Sequence, residues 1–109
     1  MRTNHGGVCL LYLAKYSVRA VPLPVYKTFE VLGVYLHGAR LNLLVIVVYR
    51  PGSSCVNSAF FYEFDDILER TATFASPIVL LGDINIHLDV ANNQNAVTFL
   101  RSLESHDLL

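Results

Sequence analysis

The sequence predicts an α/β (α+β) chain built on a mixed sheet, and three observations carry that expectation. Short apolar runs of strand length recur at residues 6–14, 29–38, 40–50 and 78–81, set off by glycines, a proline or polar turns. Apolar residues at three- and four-residue spacing mark one helix between the third and fourth runs and another after the fourth. The third run, "RLNLLVIVVYR", is rich in Val, Ile and Leu without alternation, the pattern of a strand covered on both faces. Three neighbouring strands, a crossover helix, a further strand and a last helix give the order β-β-β-α-β-α.

Each element has a local reason. "GGVCLLYLA" (6–14) opens on glycines and follows Arg2; it faintly resembles the apolar part of a signal peptide, but it is short for one, and a strand is preferred. "FEVLGVYLHG" (29–38) runs into the turn-like "HGAR", and "PGSS" (51–54) ends the third strand. In 57–74, Phe60, Phe64, Ile67 and Leu68 form the apolar face. Asn57 or Ser58 is available as N-cap, and Glu63, Asp66, Glu69 and Arg70 are left for solvent. Pro77 starts the strand "IVLL", and "NNQN" (92–95) leads into Ala96, Phe99, Leu100 and Leu103 of a second helix. That helix is expected to run to Leu108-Leu109 without a capping glycine, as if cut.

A length of 109 residues allows at most one domain. With 53% hydrophobic and 16% charged residues and a mean hydropathy of +0.43, the chain is too apolar for disorder and high for a small self-contained domain. It is expected to be a piece of something larger. A net charge of -1 and a pI near 6.4 give no basic footprint, so nucleic-acid binding would have to rest on local contacts. Cys9 and Cys55 have no metal-ligand spacing and are expected to be reduced thiols. No apolar run approaches the roughly 18–20 residues of a membrane-spanning helix.

The stretch "LLGDINIHLD" (80–89) releases Asp83, Asn85, His87 and Asp89 at every second position after a buried run. The plainer account is a strand end with one wet face. Against it, a carboxylate and a carboxamide just past the C-terminal end of a buried strand stand where open α/β sheets place ligand sites. Hard cations such as Mg²⁺ take oxygen ligands of this kind, a few from protein and the rest from water and phosphate.

"GDINIH" resembles the GD-[aromatic or aliphatic]-N motif of the endonuclease/exonuclease/phosphatase superfamily, the metal-dependent phosphodiesterase fold of DNase I and the apurinic endonucleases. More narrowly, "GGV" (6–8), "FEVLGV" (29–34), "VVYRPG" (47–52), "IVLLGDINIHLD" (78–89) and "FLRSLESHDLL" (99–109) are similar, in order and spacing, to the central part of the endonuclease domain of non-LTR (LINE-type) retrotransposons. The resemblance covers nearly all of 1–109. It implies part of a two-sheet β-sandwich with flanking helices, DNase I-like and incomplete at both ends, with Mg²⁺ as cofactor, DNA as partner, no membrane association and a nuclear setting.

The resemblance also assigns roles. Asp83 matches the residue that positions the attacking water or acts as base, and is a partial metal ligand. Asn85 matches the asparagine that binds the scissile phosphate, and Tyr49 the tyrosine whose hydroxyl approaches it. Val47 stands where other branches of the superfamily carry asparagine. His87 occupies a position commonly histidine, either for a motif-stabilising hydrogen bond or for a substrate contact. Arg50, beside Tyr49, is the cation expected near a phosphate.

Two parts of the family's set have no match. Its metal-binding glutamate lies upstream of the "GGV" strand, where only "MRTNH" precedes, and its late Asp-His pair would fall beyond Leu109. Glu30 matches a glutamate outside the catalytic set, and His106-Asp107 is in reversed order within a helix. His5 and His37 are expected to be solvated, and Tyr12, Tyr16, Tyr26, Tyr35 and Tyr62 to pack. The chain alone is therefore expected to be inactive. Two alternatives are a catalytically dead or binding-only remnant and a lipid or inositol phosphatase-like member of the superfamily.

Overall fold

The computed structural model describes residues 15–52, 56–74, 76–86, 93–106 and 108. It contains β1 (Ser17–Val21), β2 (Glu30–His37), β3 (Asn42–Tyr49), α1 (Ser58–Thr71), β4 (Ile78–Asp83) and α2 (Gln94–Ser105). The four strands form one mixed sheet in the order β1-β2-β3-β4. β1, β2 and β3 pair antiparallel, and β4 joins β3 in parallel after the α1 crossover.

From residue 29 onward the expected order of elements holds. The strand expected at 6–14 lies outside the described residues, as do His5, Cys9, Tyr12, Cys55, His87, Asp89 and Asp107. β1, which the sequence pattern does not announce, occupies "SVRAV", a half-exposed segment with no apolar run. Its pairing with β2, not its own pattern, makes it a strand.

Period decides the burial. In β3, Leu44, Ile46 and Val48 join the main core, so Val45 and Val47 face the other side of the sheet. α1 lays Phe60, Phe64, Ile67 and Leu68 on the first face, and α2 adds Phe99 and Leu103. The Phe64 ring stacks on Phe60 at 5.7 Å and on Phe99 at 4.8 Å. Asn57 is the N-cap of α1, its Oδ1 accepting from Phe60 N at 3.1 Å; Asn93 caps α2 in the same way.

Three sequence expectations are corrected. Glu63 and Asp66 do not simply face solvent. Glu63 accepts hydrogen bonds from the Lys27 and Thr28 backbone N–H groups and from Thr28 Oγ1, and Asp66 accepts from Tyr26 Oη and Arg70 Nε. Tyr62, expected to pack, is 80% exposed. α2 does not run to the last residue: it ends at Ser105, and Leu108 N donates to Leu103 O at 2.9 Å in the six-to-one bond of a Schellman-type end. The His106 ring Nδ1 bonds Ser102 O beside it. Among the described residues no helix is long and apolar enough to cross a membrane.

Candidate functional site

The parallel register brings the sequence-predicted residues to one end of the sheet. Tyr49, last in β3, is the Cα partner of Asp83, last in β4, and neighbouring strands lie about 4.8 Å apart. Asp83 is exposed and Tyr49 half-buried. The next rung explains the glycine before Asp83. Gly82 stands opposite Val48 with φ 147°, and a Cβ there would sit 1.8 Å from the Val48 carbonyl oxygen. Only glycine fits that conformation and that gap.

Beyond the strand the chain turns at once. Asp83 Oδ1 accepts from Asn85 N at 3.0 Å, an Asx-turn, and Asn85 takes the left-handed conformation at φ 54°. Asn85 Nδ2 donates to Arg50 O at 2.5 Å, and a Cβ on Gly52 would lie 3.1 Å from Asn85 Oδ1. The Asn85 side chain is thus wedged against the "RPG" segment that leaves β3.

Arg50 closes the arrangement from the other side. Its backbone N–H donates to Asp83 O at 2.9 Å, its Nε to Ile84 O at 2.6 Å and its Nη2 to Asn85 O at 2.9 Å. The guanidinium is 5.8 Å over the Phe60 ring, and the residue is only 2% exposed. Instead of reaching into solvent, the cation holds the two carbonyls that fix the Asp83–Asn85 turn. Sequence reasoning missed this role. The signal was an arginine squeezed between a buried strand and a proline, where its charge needs local acceptors.

Behind the turn is an apolar hollow of about 180 Å³, lined by Phe64, Leu80, Ile84, Phe99 and Leu103 among others. It offers no ionisable group. Among the described residues no three His, Cys, Asp or Glu side chains come together as a metal site. Mg²⁺ is ordinarily held by one or two carboxylates plus substrate phosphate, and among the described residues Asp83 is the carboxylate at this turn. The turn offers an exposed carboxylate of fixed direction, able to accept a proton from a bound water, on the strand next to Tyr49.

Comparison of the chain with protein-family models, with curated proteins and with solved structures returned no match. The class defined by the fold is therefore a small mixed α/β domain with a four-stranded sheet and two helices.

Proposed function

We propose that the chain is the central part of a phosphodiester-hydrolysing domain of the endonuclease/exonuclease/phosphatase type, resembling LINE-type retrotransposon endonucleases, with DNA as substrate and Mg²⁺ as the metal of the complete domain. The observation that carries this proposal is the rung Tyr49–Asp83 followed by the locked Asn85 turn. Asp83 would orient the attacking water. The free end of Tyr49 and the second N–H of the Asn85 carboxamide would meet the phosphate, and Arg50 would keep the turn in place from within.

In this account the four-stranded sheet is one of two in a DNase I-like sandwich. Leu81, 48% exposed, and its parallel partner Val47 supply the apolar face for the second sheet. That Asp83 is the one carboxylate at the turn among the described residues favours a second reading for the 109 residues by themselves, a module that binds without hydrolysing.

Mg²⁺-dependent nicking of supercoiled plasmid tests both. The 109-residue chain is expected to nick no faster than its Asp83→Ala variant. A longer chain, carrying the upstream glutamate and the late Asp-His segments of a LINE-type endonuclease domain, is expected to nick and to lose that activity on Asp83→Ala. Nicking by the longer chain that survives Asp83→Ala overturns the assignment.

A further inference from the structure

We propose that Ser17, Arg19, Tyr35 and His37 form a second site, which binds the phosphate group of a nucleotide or of a nucleic-acid strand. Ser17 pairs with His37 and Arg19 with Tyr35 across the antiparallel β1/β2 ladder. Residues two apart on each strand share a face, so the four side chains stand as two adjacent cross-strand pairs. They line a hollow of about 230 Å³ together with Val18, several times the roughly 30 Å³ share of one water.

The chemistry of the four is that of a donor set. The Arg19 guanidinium lies 5.4 Å over the Tyr35 ring. A guanidinium held over a ring by its charge still has N–H groups to offer an oxyanion. The one ion pair among the described residues is Arg70–Asp66, so no carboxylate there neutralises Arg19. The Tyr35 hydroxyl accepts from Ser76 Oγ at 3.2 Å and keeps its own proton to give. The His37 ring stacks parallel to Tyr35 at 6.4 Å, and its Nδ1 pairs with Asn42 Oδ1, which leaves Nε2 open; in the imidazolium form that nitrogen donates to an oxyanion as well. Ser17 adds a hydroxyl.

The surroundings extend the positive charge. Tyr16 packs so closely over Gly38 that a Cβ there would be 2.6 Å from its ring, and Lys15 sits 5.3 Å over that ring. This carries Lys15 toward the β2–β3 turn, which holds Arg40. Within 15–52 the one carboxylate is Glu30, at the opposite end of β2. A chain of net charge -1 thus gathers Lys15, Arg19 and Arg40, beside His37, at one end of its sheet, where an acceptor with several oxygens and more than one negative charge fits best. The strand from Asn42, opposite His37, to Tyr49, opposite Asp83, puts about 23 Å between the two ends. One phosphate cannot touch both, and the site stands whether or not the Asp83 turn is hydrolytic.

The test is a ¹H–¹⁵N NMR titration of the chain with inorganic phosphate, with 5′-AMP and with a short oligodeoxythymidylate. Saturable shifts are expected at Ser17, Arg19 and His37, weakened about tenfold or more by Arg19→Gln and by His37→Ala. They should be unchanged by Asp83→Ala, which separates this site from the first. An oligonucleotide that binds more tightly than 5′-AMP, with a steep loss in salt, makes a nucleic-acid strand the ligand; equal affinities make it a nucleotide, and either result upholds the site. Arg19 is exposed, so Arg19→Gln is expected to leave the fold intact. Shifts that never saturate or map elsewhere, or a folded Arg19→Gln chain that binds as tightly as the parent, overturn the proposal.

Discussion

Asn85 and Arg50 hold each other's main chain: Asn85 Nδ2 donates to the Arg50 carbonyl at 2.5 Å, and Arg50 Nη2 donates to the Asn85 carbonyl at 2.9 Å. The exchange ties the residue leaving β3 to the residue leaving β4, two segments 35 positions apart in sequence. Neither bond belongs to the sheet ladder. Together they convert two loose strand ends into one rigid corner, from which Asp83 and Tyr49 project.

Arg50→Met should therefore destabilise the fold well beyond an ordinary surface change. The substitution keeps most of the apolar stem over Phe60 but leaves the Ile84 and Asn85 carbonyls without their donors in a partly buried setting. A loss of about 3 kcal/mol is expected in urea unfolding. Arg50→Lys should recover little of it, because one ammonium does not reproduce the fork that meets two carbonyls at once. A loss below about 1 kcal/mol for Arg50→Met would show that the corner does not depend on the guanidinium.

At Asn85 two substitutions separate the clasp from the backbone. Asn85→Gly removes the Nδ2 bond but tolerates φ 54°, whereas Asn85→Ala removes the bond and also strains the left-handed conformation. Alanine should be the less stable of the two by about 1 kcal/mol. Equal denaturation midpoints, or alanine the more stable, would contradict the geometry.

Gly82→Ala should be more damaging than either. The new methyl would have to displace the Val48 backbone itself, a hydrogen-bonded central strand rather than a flexible side chain. We expect a loss of about 4 kcal/mol or failure to accumulate as folded protein. Circular dichroism and thermal unfolding of purified Gly82→Ala decide it, and a native-like melting transition would refute the close approach of β4 to β3.

The helices and the central strands were legible because their residues carry their own period. Phe60, Phe64, Ile67 and Leu68 mark one face of α1 wherever it packs, and "LNLLVIVVY" is apolar enough to need cover on both sides. The meeting of Tyr49 with Asp83 was legible too, since both end apolar runs of strand length, although the run at 78–81, read as buried, is a half-exposed strand at the edge of the described sheet. β1 was not: Ser17, Arg19 and Ala20 are exposed, so nothing in their pattern demands a strand, and the ladder to β2 supplies the reason. Because that strand was unseen, the pairing of Arg19 with Tyr35 and of Ser17 with His37 was unseen with it. The carbonyl partners of Arg50 were unseen for a different reason. Sequence shows a cation beside a tyrosine, but only the folded chain shows that backbone carbonyls satisfy it.

The last prediction concerns acid. Glu63, on α1, anchors the segment before β2 by accepting from the backbone N–H groups of Lys27 and Thr28 and from Thr28 Oγ1. Burial works to raise its carboxyl, but these donors, together with the Lys27 charge, outweigh it and leave the group below its ordinary 4.5. Asp66 is lowered as well, first by its hydrogen bond from Arg70 and then by that from Tyr26. A carboxylate depressed in the folded state adds stability that is fully present above its unfolded value and is lost as pH falls through the folded one. Urea stability should therefore drop as the pH goes from about 5 to about 3, and Glu63→Gln, which starts less stable near neutrality, should show a shallower drop over the same window. Parallel curves for the two proteins would mean that the Glu63 anchor does not contribute to the acid sensitivity of the fold.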